Sequence, residues 1–458
     1  MNWLLTSFQW YFYLLLIGVV FYPLTKRIFA KFSFDFAYPF AKVLAIILFS
    51  YTAYVLGTIK ILPFNRMSLF LMIGISVLIN FFIFRCHSEP FDFAQGRLRR
   101  GILKKISPLA ALGRNDRWVI FFFEELLFLS SLLFWTFIRS QESSIRSLEK
   151  FMDFGFMNSI LRSNYFPPKD IWYPPLPINY YYFGHLTGAF LIKLSNVKPA
   201  IGYNLILSTI FALGITQVFS FVVNIIKLYQ VKIKTVSAVI FGLIGAFLIN
   251  LGGNLHTIYA FTTGYSTADN AIPTPFWKIL SGFNPASYWY PNATRFIPFT
   301  IHEFPSYSYV VADLHGHVFD IPFVLLTLAI LFLFFTSFRH PEGVKRPKDL
   351  AKRNYFNFTL PEPALSVVEG VARFLASLGM TKNEAGMTWG GVVFLGFLTA
   401  VHYMTNAFDG PIYILLSTIV FYFIFRLSWK FFTSFLILTS SFKIFSLPFS
   451  SHFTPFIS

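Results

Sequence analysis

YYFGHLTGAFLIKL, Tyr181 to Leu194, decides how the whole chain is threaded. It is apolar, yet it is short for a bilayer core that needs roughly 20 residues of helix, and it carries Gly184, His185 and Lys193. Reading it as an interfacial or re-entrant piece leaves ten spans. These lie near Phe8–Tyr22, Tyr38–Leu56, Met67–Phe84, Trp118–Ile138, Ile201–Ile226, Val236–Asn250, Val318–Phe335, Gly391–Met404, Pro411–Phe425 and Phe431–Phe445. With that count, four basic clusters share one side: Lys26/Arg27/Lys31, Arg97 to Arg117, Lys227/Lys232/Lys234 and Arg339 to Arg353. That side is cytoplasmic by the positive-inside rule. Loops 139–200, 251–317 and 403–410 then share the external face. If Tyr181–Leu194 crossed, the Lys227 cluster would lie outside and the polar loops would be separated.

Composition fixes the class. A chain with 55% apolar residues, 21% aromatics, 12% charges and mean hydropathy +0.61 reads as an all-α, polytopic membrane protein placed in the cell membrane. The net charge of +17 would suggest nucleic-acid binding in a soluble protein. Here the Lys and Arg flank apolar spans, so no nucleic-acid partner is expected and the bilayer is the first partner. No basic leader with a small-residue cleavage site precedes the first span, which is expected to stay in place. A single cysteine, Cys86, excludes an intramolecular disulfide framework.

Two polar stretches interrupt this pattern, Cys86 to Arg117 and His340 to Met387. Codons for PFDFAQGRL (Pro90–Leu98), read as the reverse complement, can encode EPALSVVEG (Glu362–Gly370) everywhere except Val367 opposite Phe93. They read as inverted copies of one inserted genomic repeat. The expected organisation is N-terminal helices over 1–85, an inserted basic cytoplasmic loop over 86–117 and a core with its external loops over 118–338. A second insert over 339–389 and C-terminal helices over 390–458 complete it.

Chemistry is expected where polarity gathers without being needed for a span. In the first external loop Glu149 and Asp153 stand four apart, so on a helix both carboxylates share one face and can meet a metal, hydroxyl or sugar. Solvated loop acids paired with Lys150 and Arg162 are the plainer reading. Asn179, Tyr180, Tyr181, Tyr182 and His185 form a second group. Its phenols can hold phosphate or sugar hydroxyls, or simply sit in an aromatic belt. Gly184 would admit a close neighbour. The second external loop brings Arg295, a suitable phosphate clamp or a snorkelling arginine. It also brings Glu303, Asp313, His315 and His317, the last three a candidate divalent-metal set or a helix-capping network. Asp409 follows in the turn Thr405–Pro411. Glu124 and Glu125 lie within a span at about 2.5–3.5 kcal/mol each if ionised, so at least one is expected to be protonated or paired, with the basic loop as partner.

EKFMDFGFMNSILRS and INYYYFGH, followed by HEFPSYSYVVADLHGHV and TNAFD, make the chain resemble the YYY-motif integral membrane proteins described from archaea and Chloroflexi. The likeness runs from about Glu124 onward, outside the two inserts. The family pattern has proline where Phe151 stands and commonly proline where Gly316 stands. Its members are longer, so this chain is expected to be a truncated copy. That family is similar in layout to the C-type polytopic glycosyltransferases, which use an acidic first external loop and polyprenyl-phosphate sugar donors. The resemblance implies inverting sugar transfer from a polyprenyl-phosphate donor on the external face. Asp153 would be the base and Glu149 its support or a metal ligand. Tyr180–Tyr182, His185, Asn179, Arg295, Arg162, Glu303 and Asp409 would bind substrate, and a divalent ion would sit at Asp313, His315 and His317. A transporter or lipid-binding channel using Glu124, Glu125, Asp313 and the histidines is the alternative, with an inactive scaffold third.

Overall fold

The computed structural model describes residues 3–87, 117–230, 232–254, 256, 290–294, 300–338 and 389–451. Long apolar runs must satisfy their own backbone in lipid, and the helix does this within one segment. Thirteen α-helices result among the described residues. They are α1 (Trp3–Ile28), α2 (Pro39–Thr58), α3 (Arg66–His87), α4 (Arg117–Gln141), α5 (Lys150–Arg162), α6 (Phe183–Ser195) and α7 (Pro199–Tyr229). There follow α8 (Thr235–Leu251), α9 (Pro305–Val311), α10 (Gly316–Phe338), α11 (Trp389–Thr405), α12 (Asp409–Phe425) and α13 (Trp429–Ser450). Six are long and apolar enough to cross a membrane and four are shorter apolar helices. These ten coincide with the ten segments read from hydropathy, within a few residues at each end. The inserted stretches 88–116 and 339–388 fall outside the described residues.

The helices run alternately between a basic end and a loop end. At the basic end the turn after α1 meets the ends of α7 and α10: Phe32 lies 6.3 Å from both Phe221 and Phe332, and Tyr229 lies 6.2 Å from Phe332. The loop end gathers the α2–α3 turn, α5, α6, α9 and the start of α10.

Helix α6 is the segment on which the threading depends. Its 13 residues span about 20 Å, well short of an apolar core about 30 Å thick. Both of its ends are fixed at the loop end. At its start His185 meets Asp153 of α5. At its end Lys193 Nζ donates to the Phe64 carbonyl at 2.7 Å and the Leu161 carbonyl at 2.8 Å. The Leu194 and Ser195 carbonyls accept from Arg66 and Gln9. It therefore does not cross the bundle. Nearly every residue from Phe183 to Ser195 is buried, walled by α1, α2, α3, α5, α7, α10 and α11. Gly184 permits this packing, since a Cβ there would stand 2.6 Å from the Phe319 Cβ.

Of the two buried acids of α4, Glu125 is paired inside the bundle and Glu124 meets the Asp35 carboxyl. Glu125 Oε1 accepts from Lys42 Nζ and the Tyr38 hydroxyl, and its Oε2 accepts from Tyr11 at 2.7 Å. The expected partner was the basic loop before α4. The structure supplies a lysine from inside α2, which lies one helix away at the same depth.

Candidate functional site

Three polar stretches distant in sequence meet at the loop end. Helix α5 begins at Glu149, and its first turn points Asp153 inward, wholly buried. The segment 312–315 approaches from the other side, held by α7: Tyr203 accepts from the Leu314 N–H at 3.2 Å, and Ala312 turns the chain in a left-handed conformation at φ 60°. This delivers Asp313, whose Oδ2 accepts the Glu149 N–H at 3.3 Å. His185 closes the group from α6, with Nε2 2.8 Å from Asp153 Oδ1.

The electrostatics follow from burial. Asp153 Oδ2 and Asp313 Oδ1 have no hydrogen-bond donor from the rest of the protein, and the two carboxyls are hydrogen-bond partners of each other. Two adjacent carboxylates cannot both ionise cheaply, so the pair retains a proton. Burial pushes Asp153 up to about 6, against the lowering effect of the hydrogen bond from Asp313. Burial, together with the hydrogen bond to Asp153 and its charge, pushes Asp313 up to about 7. Asp313 is the proton's resting place and the half-buried, outward member. Burial pushes His185 down to about 3, so it is neutral, and the acceptor at Nε2 assigns the proton to that nitrogen.

Around this pair the structure arranges Tyr180 and Tyr181, stacked with ring centroids 3.9 Å apart and hydroxyls 2.9 Å apart. Tyr180 reaches His315 Nε2 at 2.8 Å, and that nitrogen also lies 2.8 Å from Glu149. His317 Nε2 lies 2.9 Å from Glu303, whose carboxylate also accepts from Ser308. For Glu303 burial works upward, but the hydrogen bonds from His317 and Ser308 and the charge of His317 prevail and hold it low.

A second group stands beside the first. His402 of α11 points Nδ1 at Asp320 of α10, 2.7 and 2.8 Å from its two oxygens, and its Nε2 lies 2.8 Å from the Thr327 hydroxyl. The Asp320 carboxyl is in turn hydrogen-bonded to Asp409, which accepts from Asn406 at 2.9 Å. The molecule thus holds two histidine–aspartate–aspartate chains, His185–Asp153–Asp313 and His402–Asp320–Asp409. Tyr181 and His317 lie between them, within electrostatic reach of Asp409 and Asp320 respectively. Gly316 makes the approach possible, since a Cβ there would meet the Thr405 carbonyl oxygen at 2.4 Å.

The structure brings together Glu149, Asp153, Tyr180, Tyr181, His185, Glu303, Asp313, His315, His317 and Asp409. Three expectations do not survive. Tyr182 turns into the core, wholly buried beside Tyr54 and Phe449, because consecutive residues entering a helix point in different directions. Arg162 is exposed in the last turn of α5, nine residues and about 14 Å along the axis from Asp153. Asp313, His315 and His317 do not converge: each histidine faces a different carboxylate, and no group of three metal-ligating side chains is gathered among the described residues. Asn179 is exposed, and Arg295 lies outside the described residues. His402 was missed. An ionisable side chain in an apolar run, seven residues before Asp409, was the available signal.

Residues 48–453 match the family profile described as Uncharacterized membrane protein (DUF2298). The chain belongs to that family. Both carboxyl pairs of this DUF2298 member lie inside the matched region, as does all of α6, whereas α1 and the first half of α2 precede it. No curated protein and no solved structure matches the chain.

Proposed function

We propose that this protein is a glycosyltransferase with C-type layout, moving a sugar from a polyprenyl-phosphate donor to an acceptor hydroxyl on the external face. The observation that carries the reading is the Asp153–Asp313 carboxyl pair, assembled from two loops and backed by His185. A carboxyl tuned to near neutrality by burial and a like-charged neighbour suits a general base. In the proposed step the acceptor oxygen attacks the anomeric carbon from the face opposite the phosphate. The bond from that carbon to the phosphate oxygen breaks, and the lipid phosphate leaves with the electron pair. The acceptor proton passes to the pair once its own shared proton has been lost to solvent. Because Asp153 is wholly buried, contact with the acceptor falls to Asp313, and Asp153 orients and tunes it. The exposed carboxylate of Glu149 holds His315 and Tyr180 at the rim. Tyr180, Tyr181 and Arg295 supply donors for the leaving phosphate, whose developing charge preorganised hydrogen bonds stabilise most in a water-poor cleft. The lining of Asn179, Glu303 and Asp409 offers partners for sugar hydroxyls. No step is routed through a metal, since the histidines are committed to separate carboxylates.

The test is release of lipid phosphate by detergent-purified protein from a panel of polyprenyl-phosphate sugars, with Asp153→Ala as the comparison. Release that the substitution abolishes supports the reading. Near-normal release in a folded variant removes the pair from the mechanism, and no release by well-folded wild type from any donor rejects the activity.

A further inference from the structure

Arg139 and Lys150 stand close together at the loop end with no acid committed to either. Arg139 lies in the last turn of α4, the end of a helix long enough to cross a membrane, and Lys150 is the first residue of α5. Both are nearly enclosed by protein, 6% and 7% exposed. Arg139 spends Nε and Nη2 on one neutral oxygen, Asn204 Oδ1, at 3.1 and 2.8 Å. Its Nη1 and the Lys150 Nζ have no partner among the described residues, yet neither atom is sealed from solvent. Burial first, then the charge of Arg139, holds Lys150 below the usual lysine value against the raising effect of Asp313 and Glu142. Those two acids do not neutralise the pair: Glu142 is exposed and accepts the Ser144 N–H at 3.2 Å, and Asp313 holds the proton it shares with Asp153.

Placing two cations here is unfavourable on three counts. They repel each other, burial strips their hydration, and Lys150 occupies the helix end where the backbone dipole favours negative charge. No side chain caps α5, and its first internal bond runs from the Asp153 N–H to the Glu149 carbonyl at 3.1 Å, so the N–H groups of Lys150, Phe151 and Met152 have no partner within the helix. An anion with several oxygens offsets all three penalties. We propose that Arg139, Lys150 and the first turn of α5 bind the phosphate group of a membrane lipid. A guanidinium and an ammonium match the charge of a phosphate and supply donors to its oxygens from two elements. A lipid headgroup is the source that fits, because α4 ends two residues beyond Arg139, where a spanning helix meets the headgroup layer. Snorkelling does not account for Arg139, since a snorkelling side chain keeps its charged head in water and this one turns inward onto α7. The site shares no residue with the donors assigned to the leaving phosphate and is tested by binding, so its failure would leave the sugar-transfer reading untouched.

The experiment is thermal unfolding of the delipidated protein in uncharged detergent at pH 6, with dioctanoyl phosphatidylglycerol, with dioctanoylglycerol or with potassium phosphate. A ligand that binds only the folded state raises Tm as its concentration exceeds Kd. The expected result is a rise of several degrees with phosphatidylglycerol and none with the uncharged lipid. Lys150→Gln should abolish the rise yet unfold, without lipid, no lower than wild type, because it removes a buried charge from beside Arg139. Lys198→Gln, which removes an exposed lysine at the same end, should keep the rise. Equal Tm with the two lipids, or a rise that survives Lys150→Gln, would overturn the site. The full rise with potassium phosphate alone would overturn the lipid assignment in favour of free phosphate. Should Lys150→Gln fail to fold, radiolabelled phosphatidylglycerol decides on wild type: saturable binding displaced by phosphatidic acid but not by dioctanoylglycerol supports the site, and unsaturable partitioning alone rejects it.

Discussion

Asp153 and Asp313 couple chemistry to pH with a definite sign. Both folded values, about 6 and about 7, lie above the ordinary carboxyl value of 3.8. A group raised in this way stabilises the fold fully below its unfolded value, and that contribution is lost as pH rises from about 4 through 7. Activity runs the other way, since the base must lose the shared proton. Transfer is therefore expected to rise with pH through about 7 while Tm falls over the same interval, measured as paired profiles on one preparation. Asp313→Asn should lower transfer by about 100-fold or more and flatten the Tm profile, leaving the protein at least as stable at pH 8. Lys42 offers a contrasting case. Removing it by Lys42→Met strands Glu125 beside two phenols and is expected to cost about 3–5 kcal/mol, whereas Lys42→Met combined with Glu125→Leu should recover most of the loss in chemical denaturation. Spacing made the Glu149–Asp153 face readable, because one helical turn fixes it. The partner of Asp153 was not readable, since it comes from a loop more than 150 residues later whose position Tyr203 sets.

Helices carry the next level of argument, and α6 shows what patterning can and cannot say. Its shortness and its polar residues, together with the charge distribution, set it apart from the ten spans. Its burial on every side was not visible, because an apolar stretch reads the same whether lipid or protein surrounds it. The tyrosine run shows a similar limit: Tyr180 and Tyr181 stack over the carboxyl pair while Tyr182 joins the core, and only the angle at which α6 starts separates them. His402 stayed hidden inside a hydropathic span because its partners, Asp320 and Thr327, sit on another helix. Gly184→Ala is expected to push Phe319 aside and cost about 1–3 kcal/mol, read as a drop in the denaturation midpoint. Transfer should fall with it, because Phe319 lies 5.2 Å from the His185 ring.

At the scale of the molecule, the ten apolar helices place the external-loop motifs at one end and the Lys26/Arg27/Lys31 and Lys227/Lys232/Lys234 clusters at the other. A direct check uses a Cys86→Ser background with single cysteines at the exposed positions Lys60, Lys169, Lys198 and Lys232. A membrane-impermeant maleimide applied to intact cells should label the first three and spare Lys232Cys. Labelling of Lys169Cys without Lys198Cys would mean that α6 crosses after all. The whole-molecule layout was the most legible level, since hydropathy and charge asymmetry both report on it. Which loops touch was not, because contact at the loop end depends on how the helices tilt.

The walls of α6 are made at different times. Helices α1, α2, α3 and α5 precede it in the chain, whereas α7, α10 and α11 follow. A ribosome that has just released Ser195 has produced a short apolar segment with half of its eventual enclosure still unwritten. His185 and Lys193 already have their partners by then, since Asp153, Phe64 and Leu161 precede the segment, but the faces that α7, α10 and α11 will cover stay open until synthesis has passed residue 405. The segment cannot be settled by the insertion machinery as it emerges, and its docking belongs to a late stage of assembly, when the carboxyl-terminal helices arrive to close around it.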